Sequence, residues 1–64
     1  MSFLNLPEIL RVERARRNIT QEQMANVIGV SISTYKAIET DKKEPSIHLL
    51  RRIASLLKIE IVIS

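Results

Sequence analysis

The sequence predicts an all-α fold, a compact bundle of four helices followed by one short C-terminal strand. Three observations support this prediction. Apolar residues recur at helical spacing through most of the chain, the segments they define are separated by residues that cap or end helices, and only residues 59–64 alternate with the period of a strand. Because the chain has 64 residues, we expect a single domain covering residues 1–64.

The composition limits how so small a domain is stabilised and what it binds. The sequence holds no cysteine and one histidine, so it predicts no disulfide bond, no metal site and no cofactor. Ten Lys and Arg against seven Asp and Glu give a net charge of +3, which favours a polyanionic partner if the charges cluster. No run of about 18 apolar residues is present to span a membrane, and the first residues lack the pattern of a signal peptide. We therefore expect a cytoplasmic protein with no membrane partner.

The first helix is predicted to begin after Asn5, which has capping-box spacing with Glu8, and to end near Arg17 with Asn18 in the left-handed region. The residues expected to face inward are Leu6, Ile9, Leu10 and Val12. Those expected to be mostly solvated are Arg11, Glu13, Arg16 and Arg17. The basic last turn has two interpretations, a nucleic-acid patch or a complement to the dipole of the helix C-terminus.

Two short helices follow, joined by a turn at Gly29, which is free to adopt positive φ. Thr20 and Gln23 form a capping box that opens the second helix, and Ser31 is expected to cap the third, which runs to about Thr40. The side chains predicted to face inward are Met24, Ala25 and Ile28 on the second helix and Tyr35, Ile38 and Glu39 on the third. The remaining face of the third helix carries small, neutral or basic side chains, which suits close approach to another surface.

Ser46 is expected to cap a fourth helix, predicted to be the central helix of the core because its apolar face is broad. That face contains Ile47, Leu49, Leu50, Ile53, Ala54, Leu56 and Leu57. Arg51 and Arg52 are expected to be solvated or near a dimer interface.

Residues 59–64 are rich in β-branched side chains and predict a strand. Because no other segment offers a partner strand, we expect this one to pair with the same segment of a second copy in an antiparallel arrangement, through Ile59, Ile61 and Ile63. The alternative is a disordered or simply packed tail.

The residues around Gly29 resemble those of the Cro/C1-type (XRE) helix-turn-helix family. The resemblance covers about residues 10–59 and rests on residues 19–25, 28–31, 35, 38–39 and 45–46. It implies a lambda-repressor-like bundle, with the helix-turn-helix at about 20–39 and the strand at 59–64 in place of the family's usual fifth helix. It also implies sequence-specific binding of double-stranded DNA, usually as a dimer on a palindromic operator.

The chain departs from the family pattern at several positions. Asn18, Asp41 and Lys58 stand where the family often has glycine, and Glu13 occupies a position that is commonly apolar. Asparagine and aspartate tolerate the left-handed conformation better than most residues, so the turns remain compatible with the fold.

The resemblance also implies which residues bind DNA. The side chains expected to face base edges are Ile32, Ser33, Lys36 and Ala37. Those expected to contact phosphates are Thr20, Gln21, Ser31, Thr34, Thr40, Lys42 and Lys43. A solvated helix surface is the alternative for each position. Arg14 and Glu39 match a family ion pair between the first and third helices, which we interpret as structural.

These features predict a transcriptional repressor that acts as a homodimer, in the cytoplasm and, when bound to DNA, on the bacterial nucleoid. An alternative is a HipB-type antitoxin, which this combination of domain and strand resembles; it would neutralise a HipA-like kinase toxin and repress its own operon. We do not expect an enzyme, because the sequence offers no nucleophile and base set, no metal cluster and no phosphate loop.

Overall fold

The computed structural model describes residues 5–58, and this part of the chain forms four α-helices. They are α1 (Leu6–Arg17), α2 (Gln21–Ile28), α3 (Ile32–Glu39) and α4 (Ile47–Leu57). The prediction of an all-helical four-helix arrangement is confirmed for these residues. The predicted strand, with its dimer contacts through Ile59, Ile61 and Ile63, lies outside the described residues.

Side-chain caps determine where three of the helices begin. Thr20 Oγ1 accepts a hydrogen bond from the Gln23 N–H at 3.1 Å, and Gln23 Oε1 accepts one from the Thr20 N–H at 2.8 Å. The capping box predicted for α2 is therefore confirmed. Ser31 and Ser46 cap α3 and α4 in the same position, each accepting from the N–H three residues later. A cap of this kind stabilises a helix by about 1 kcal/mol.

The start of α1 differs from the prediction. Asn5 precedes the helix, but its side chain makes no hydrogen bond to the backbone of the first turn. Its Nδ2 instead donates to Glu8 Oε2 at 2.6 Å. The predicted capping box is wrong because Asn5, with φ −88° and ψ 65°, lacks the extended backbone that aims an N-cap side chain at the first turn.

Left-handed residues close α1, α2 and α4. Asn18, Gly29 and Lys58 have φ of 54°, 86° and 53°, and Asp41, in the loop after α3, has φ of 61°. The turns expected at these positions are therefore formed, although three of the four residues carry a Cβ. At Gly29 an added Cβ would also lie 3.3 Å from Arg52 Nη1, which leaves little room for a larger residue.

All four helices contribute to the core, and α2 contributes the most buried apolar residues. Its buried apolar residues are Leu6, Leu10, Met24, Ala25, Ile28, Tyr35, Ile38, Ile53 and Leu57. The inward faces predicted for α2 and α3 are confirmed. α3 packs against both α2 and α1, so the helix with the polar outer face is held from two sides.

Two neighbouring positions on α1 are reversed relative to the prediction. Glu13 is only 7% exposed, whereas Val12 is 49% exposed. The carboxylate of Glu13 can be buried because Arg16 Nη1 lies 2.8 Å from Oε2 and Arg17 Nε lies 3.5 Å from Oε1. Apolar periodicity cannot predict this exchange, since a paired carboxylate occupies the inward position.

The prediction that α4 is the central core helix is wrong for the described residues. Only Ile53 and Leu57 of α4 are buried, while Ile47 and Leu56 are 42% and 43% exposed. The apolar face of α4 spans about half of the helix circumference, as the 100° step between residues predicts. Its two edges remain in contact with solvent because only the middle of the face meets the other helices.

Candidate nucleic-acid interface

The outer face of α3 is open to solvent in part. Ser33 and Lys36 are exposed, whereas Ile32 and Ala37 are half-buried. Ile32 packs against the core, so it presents only one edge of its side chain to a partner. Base contact by these four residues stays a prediction, and the exposed pair is the better placed for it.

The beginnings of α2 and α3 offer backbone donors. The first N–H groups of a helix have no acceptor within the helix. Caps use the N–H of Gln23 and of Thr34. The N–H groups of Gln21, Glu22, Ile32 and Ser33 find no acceptor among residues 5–58. Free N–H groups at a helix N-terminus suit the binding of phosphate.

The hydroxyl groups near α3 differ in whether they are available to donate a hydrogen bond to a phosphate. Ser31 Oγ donates to Thr34 Oγ1 at 2.9 Å, and Thr40 Oγ1 donates to the Lys36 carbonyl at 2.7 Å. Phosphate oxygens only accept, so a hydroxyl whose proton is used internally is a weaker ligand. Thr34 accepts from Ser31 and retains its own proton, as does Thr20, which accepts from the Gln23 N–H.

Arg14 and Glu39 join α1 to the end of α3 in a bidentate ion pair. Arg14 Nε donates to Glu39 Oε2 at 3.1 Å and Arg14 Nη2 donates to Oε1 at 3.0 Å. Gln21 Nε2 also donates to Oε1, at 3.3 Å, which links the start of α2 to the same carboxylate. The Glu39 side chain is 4% exposed and that of Arg14 is 25% exposed, so the pair is largely removed from water.

This arrangement changes the acidity of the groups involved. Burial alone raises the pKa of Glu39, but hydrogen bonds, led by that from Arg14, outweigh it and hold the pKa below its usual value. The same hydrogen bond raises the pKa of Arg14. Burial, followed by the nearby Glu39 carboxylate, raises the pKa of Tyr35. The Tyr35 hydroxyl is buried and forms no hydrogen bond of acceptable geometry with the described residues.

Arginine side chains reach main-chain carbonyls on other segments of the domain. The contacts are Arg11 Nη1 to Glu39 O at 3.0 Å, Arg14 Nη1 to Ile19 O at 3.3 Å, Arg17 Nη2 to Leu57 O at 3.4 Å and Arg52 Nη1 to Ile28 O at 3.4 Å. Arg11, Arg17 and Arg52 are exposed, as expected, but each also donates a hydrogen bond to a distant carbonyl, which the sequence did not predict. Local sequence carries no signal for these contacts, because donor and acceptor are 28 residues apart for Arg11 and 40 for Arg17.

The lysines on and after α3 are free of such contacts. Lys36, Lys42 and Lys43, called here the lysine surface, are all exposed and form no ion pair with any residue in the described range 5–58. The N–H groups of Lys42 and Lys43 donate to the Ala37 carbonyl at 2.8 and 3.2 Å. The loop is thereby folded onto the end of α3, which keeps the main chain of Lys42 and Lys43 close to the C-terminal end of the helix that carries Lys36.

A capped short helix, a turn at a positive-φ glycine and a second helix with a polar, basic outer face define a helix-turn-helix DNA-binding domain. Comparison with protein families agrees, since the family model named Helix-turn-helix (HTH_3) matches residues 10–63. The chain belongs to this XRE-type family of DNA-binding transcriptional regulators, and the resemblance seen in the sequence is confirmed.

Two curated relatives support the assignment. One is an uncharacterized HTH-type transcriptional regulator of Methanocaldococcus jannaschii, 42% identical over 52 residues, which are 81% of this chain and 79% of that protein. The other is the cryptic phage CTXphi transcriptional repressor RstR of Vibrio cholerae, 38% identical over 58 residues, 91% of this chain. The chain spans about half of the length of this second relative, 52%. No solved structure matches the chain significantly.

Membrane-spanning helices and metal-binding clusters are both absent from the part of the chain that the structure describes. Across residues 5–58, no helix is long and apolar enough to cross a membrane. Nor do three or more His, Cys, Asp or Glu side chains come together there in a way that could hold a metal ion.

Proposed function

We propose that this chain represses transcription by binding a palindromic DNA operator as a homodimer, with α3 of each copy in a major groove. One observation carries the proposal. Tyr35, Ile38 and Glu39 hold α3 on the core, while Ser33 and Lys36, which lie outside this buried face, remain exposed. A helix held in this way can press its outer face against base edges without losing its support.

The proposed interface divides into base-reading and phosphate-binding parts. Lys36 donates to O6 or N7 of a guanine, and Ile32 offers its exposed edge to a thymine methyl group. Ser33 and Ala37 complete the base-reading face. The phosphate ligands are Thr20, Gln21, Ser31, Thr34, Thr40, Lys42 and Lys43. Among them, Lys42 and Lys43 make the largest electrostatic contribution because neither is engaged within the described part of the chain.

The relatives favour repression as the outcome of binding. The Vibrio cholerae relative is named a transcriptional repressor and the Methanocaldococcus jannaschii relative an HTH-type transcriptional regulator. A domain of this size represses most simply by occupying an operator, which needs affinity and specificity but no further activity. Its place of action is then the cytoplasm, on nucleoid DNA.

The homodimer part of the proposal assigns residues 59–64 to contact between two copies, through Ile59, Ile61 and Ile63. An antiparallel pair of these segments would set the distance between two α3 helices and so the spacing of half-sites. Light scattering on a chain that ends at Lys58 tests this step. A truncated chain that remains dimeric overturns it.

The base-reading assignment is tested with Lys36→Ala after the operator has been found by selection of genomic fragments. Loss of one base contact is expected to lower operator affinity roughly 5- to 100-fold and to relax preference at one base pair. Arg51→Ala is the matched control, because it removes the same charge from an exposed position on α4. Unchanged affinity and unchanged base preference in Lys36→Ala would contradict the assignment.

The antitoxin alternative stays a prediction from the sequence resemblance. It requires a kinase-like toxin that binds the folded chain. Co-purification with a larger protein encoded by a neighbouring gene is the measurement that distinguishes it from an autonomous repressor.

A further inference from the structure

We propose that Arg11, on α1 and outside the helix-turn-helix, is a positioning residue that sets how the C-terminal half of α3 meets DNA. Arg11 Nη1 donates to the main-chain carbonyl of Glu39, the last residue of α3, at 3.0 Å. The inference rests on the proposed function, since it requires that α3 reads bases.

The carbonyl groups at the end of α3 show why this contact matters. The last carbonyls of a helix have no N–H partner within the helix. At α3, the carbonyls of residues 36, 37 and 38 accept from N–H groups of residues 40–43. The carbonyl of Glu39 accepts from Arg11 and from no other group in the described residues. Arg11 thus completes the end of the helix from a different part of the chain.

Arg11 and Arg14 act on the same residue from the same helix. They are three positions apart on α1, so both side chains lie on the side that faces α3. Arg14 binds the Glu39 carboxylate in a bidentate pair, and Arg11 binds the Glu39 main chain. A carboxylate contact alone leaves the side-chain torsions of Glu39 free to let the backbone shift. The main-chain contact restrains the backbone at the end of α3 directly.

The position of Arg11 separates its role from packing, and its charge acts on the end of α3 rather than on its own helix. The residue is exposed, so its hydrocarbon stem contributes little to the core. A cation at a helix C-terminus interacts favourably with the helix dipole, and here that helix is α3 rather than α1. Lys36 lies one turn before this end, so a shift of the end moves the side chain that is assigned to a guanine.

The test uses the full-length chain and compares Arg11→Met with Arg51→Met. Both substitutions remove one positive charge and keep an unbranched stem, but Arg51 is an exposed residue of α4 that forms no ion pair among residues 5–58. Affinities for the selected operator, for operators varied at each base pair and for unrelated DNA are measured well below the lowest melting temperature. We expect Arg11→Met to lower the operator-to-unrelated ratio about 10-fold, the size of one charge-assisted hydrogen bond.

The operator positions at which Arg11→Met changes the base preference provide a more specific test than the overall affinity ratio. Preference should relax mainly at the position that Lys36→Ala also relaxes, and Arg11→Met should have little further effect in a Lys36→Ala background. Arg11→Lys, which keeps a charged donor, should recover part of the lost preference. It also serves as the second variant if Arg11→Met melts too low for the assay.

Three results overturn the inference, and they are distinguishable from failure of the proposed function. Equal ratios for Arg11→Met and Arg51→Met, additive effects of Arg11→Met and Lys36→Ala, or an effect spread uniformly over all base pairs would each reject a positioning role. If the wild-type chain itself shows no preference for any operator, or Lys36→Ala is silent, the proposed function fails and the inference fails with it.

Discussion

α1 and the lysine surface carry most of the positive charge of this domain, and they use it in different ways. Arg11, Arg14, Arg16 and Arg17 of α1 all bind carbonyl or carboxylate oxygens within the chain. The three lysines form no such ion pair with the described residues. A guanidinium presents several N–H groups in a rigid plane that matches carboxylates, whereas an ammonium is strongly hydrated and tends to stay in water. Positive charge on the surface is therefore available to DNA only where the side chain is not already bound to an oxygen within the chain.

The largest loss of stability among variants of the two regions is expected for the substitution of Arg14 on α1. Arg14→Ala leaves the Glu39 carboxylate, only 4% exposed, without its main partner. Removing one partner of such a pair is expected to lower the free energy of unfolding by about 3 kcal/mol. Thermal and chemical denaturation of Arg14→Ala and Arg16→Ala measures this. Arg16 is 71% exposed and its partner Glu13 keeps Arg17 at 3.5 Å, so removal of Arg16 should cost less, about 1 kcal/mol, and equal melting temperatures for the two variants would contradict the comparison.

The lysine surface should show the opposite pattern, with an effect on binding and none on stability. Lys42→Ala and Lys43→Ala are each expected to lower the magnitude of the slope of log affinity against log salt by about 1, because each removes one phosphate contact. Their melting temperatures should match the wild type. Arg16→Ala is the control for α1, and a reduction of its salt slope equal to that of the lysine variants would argue that the α1 arginines also reach DNA.

Lowering the pH should weaken the ion pair between Arg14 and Glu39, with a smaller loss of stability than a substitution of Arg14 causes. Hydrogen bonds hold the pKa of Glu39 below 4.5, the ordinary value, so below that pH the unfolded chain takes up a proton that the folded chain does not. The contribution of Glu39 is therefore present above this pH and is lost as pH falls through the folded pKa. Unfolding free energies of wild type and Glu39→Gln, measured at decreasing pH, should converge. A constant difference down to acid pH would show that the pKa is not lowered.

The smallest effect is expected at Glu13, the other buried carboxylate. Replacing a buried ion pair with an apolar side chain is often neutral or stabilising. Its partners Arg16 and Arg17 have side chains 71% and 40% exposed and can return to water. We expect Glu13→Leu to change the free energy of unfolding by under about 1 kcal/mol, whereas Glu39→Leu should lose substantially more. Similar losses of unfolding free energy for both variants in denaturation experiments would show that the two carboxylates contribute equally to stability.

The helix starts and turns could be predicted from sequence because they depend on neighbours only a few residues away. Thr20, Ser31 and Ser46 cap their helices through N–H groups three residues later. The turns at Asn18 and Asp41 likewise follow from the tolerance of those side chains for positive φ. Asn5 is the exception, since its own backbone angles prevent the capping bond.

Burial was harder to predict where a charged side chain competes with an apolar one. Glu13 is buried and Val12 exposed because the pair formed with Arg16 and Arg17 makes an inward carboxylate acceptable. The broad apolar face of α4 is covered only at Ile53 and Leu57, since the number of helices that pack on it depends on their arrangement in space. Hydrophobic periodicity identifies a face, but it does not show how much of that face meets a neighbour.

Local sequence is sufficient to predict the order of the helices, three of their four N-terminal caps, the glycine turn and the family, because these depend on local backbone preference and on residues at constant spacing. Which cations have internal partners depends instead on how the helices pack. Arg11 is 28 residues from the carbonyl that it binds, and Arg52 is 24 residues from its own. A guanidinium binds whichever helix end the fold brings within reach, so only the packed helices show which of the basic residues already bind oxygens within the described part of the chain.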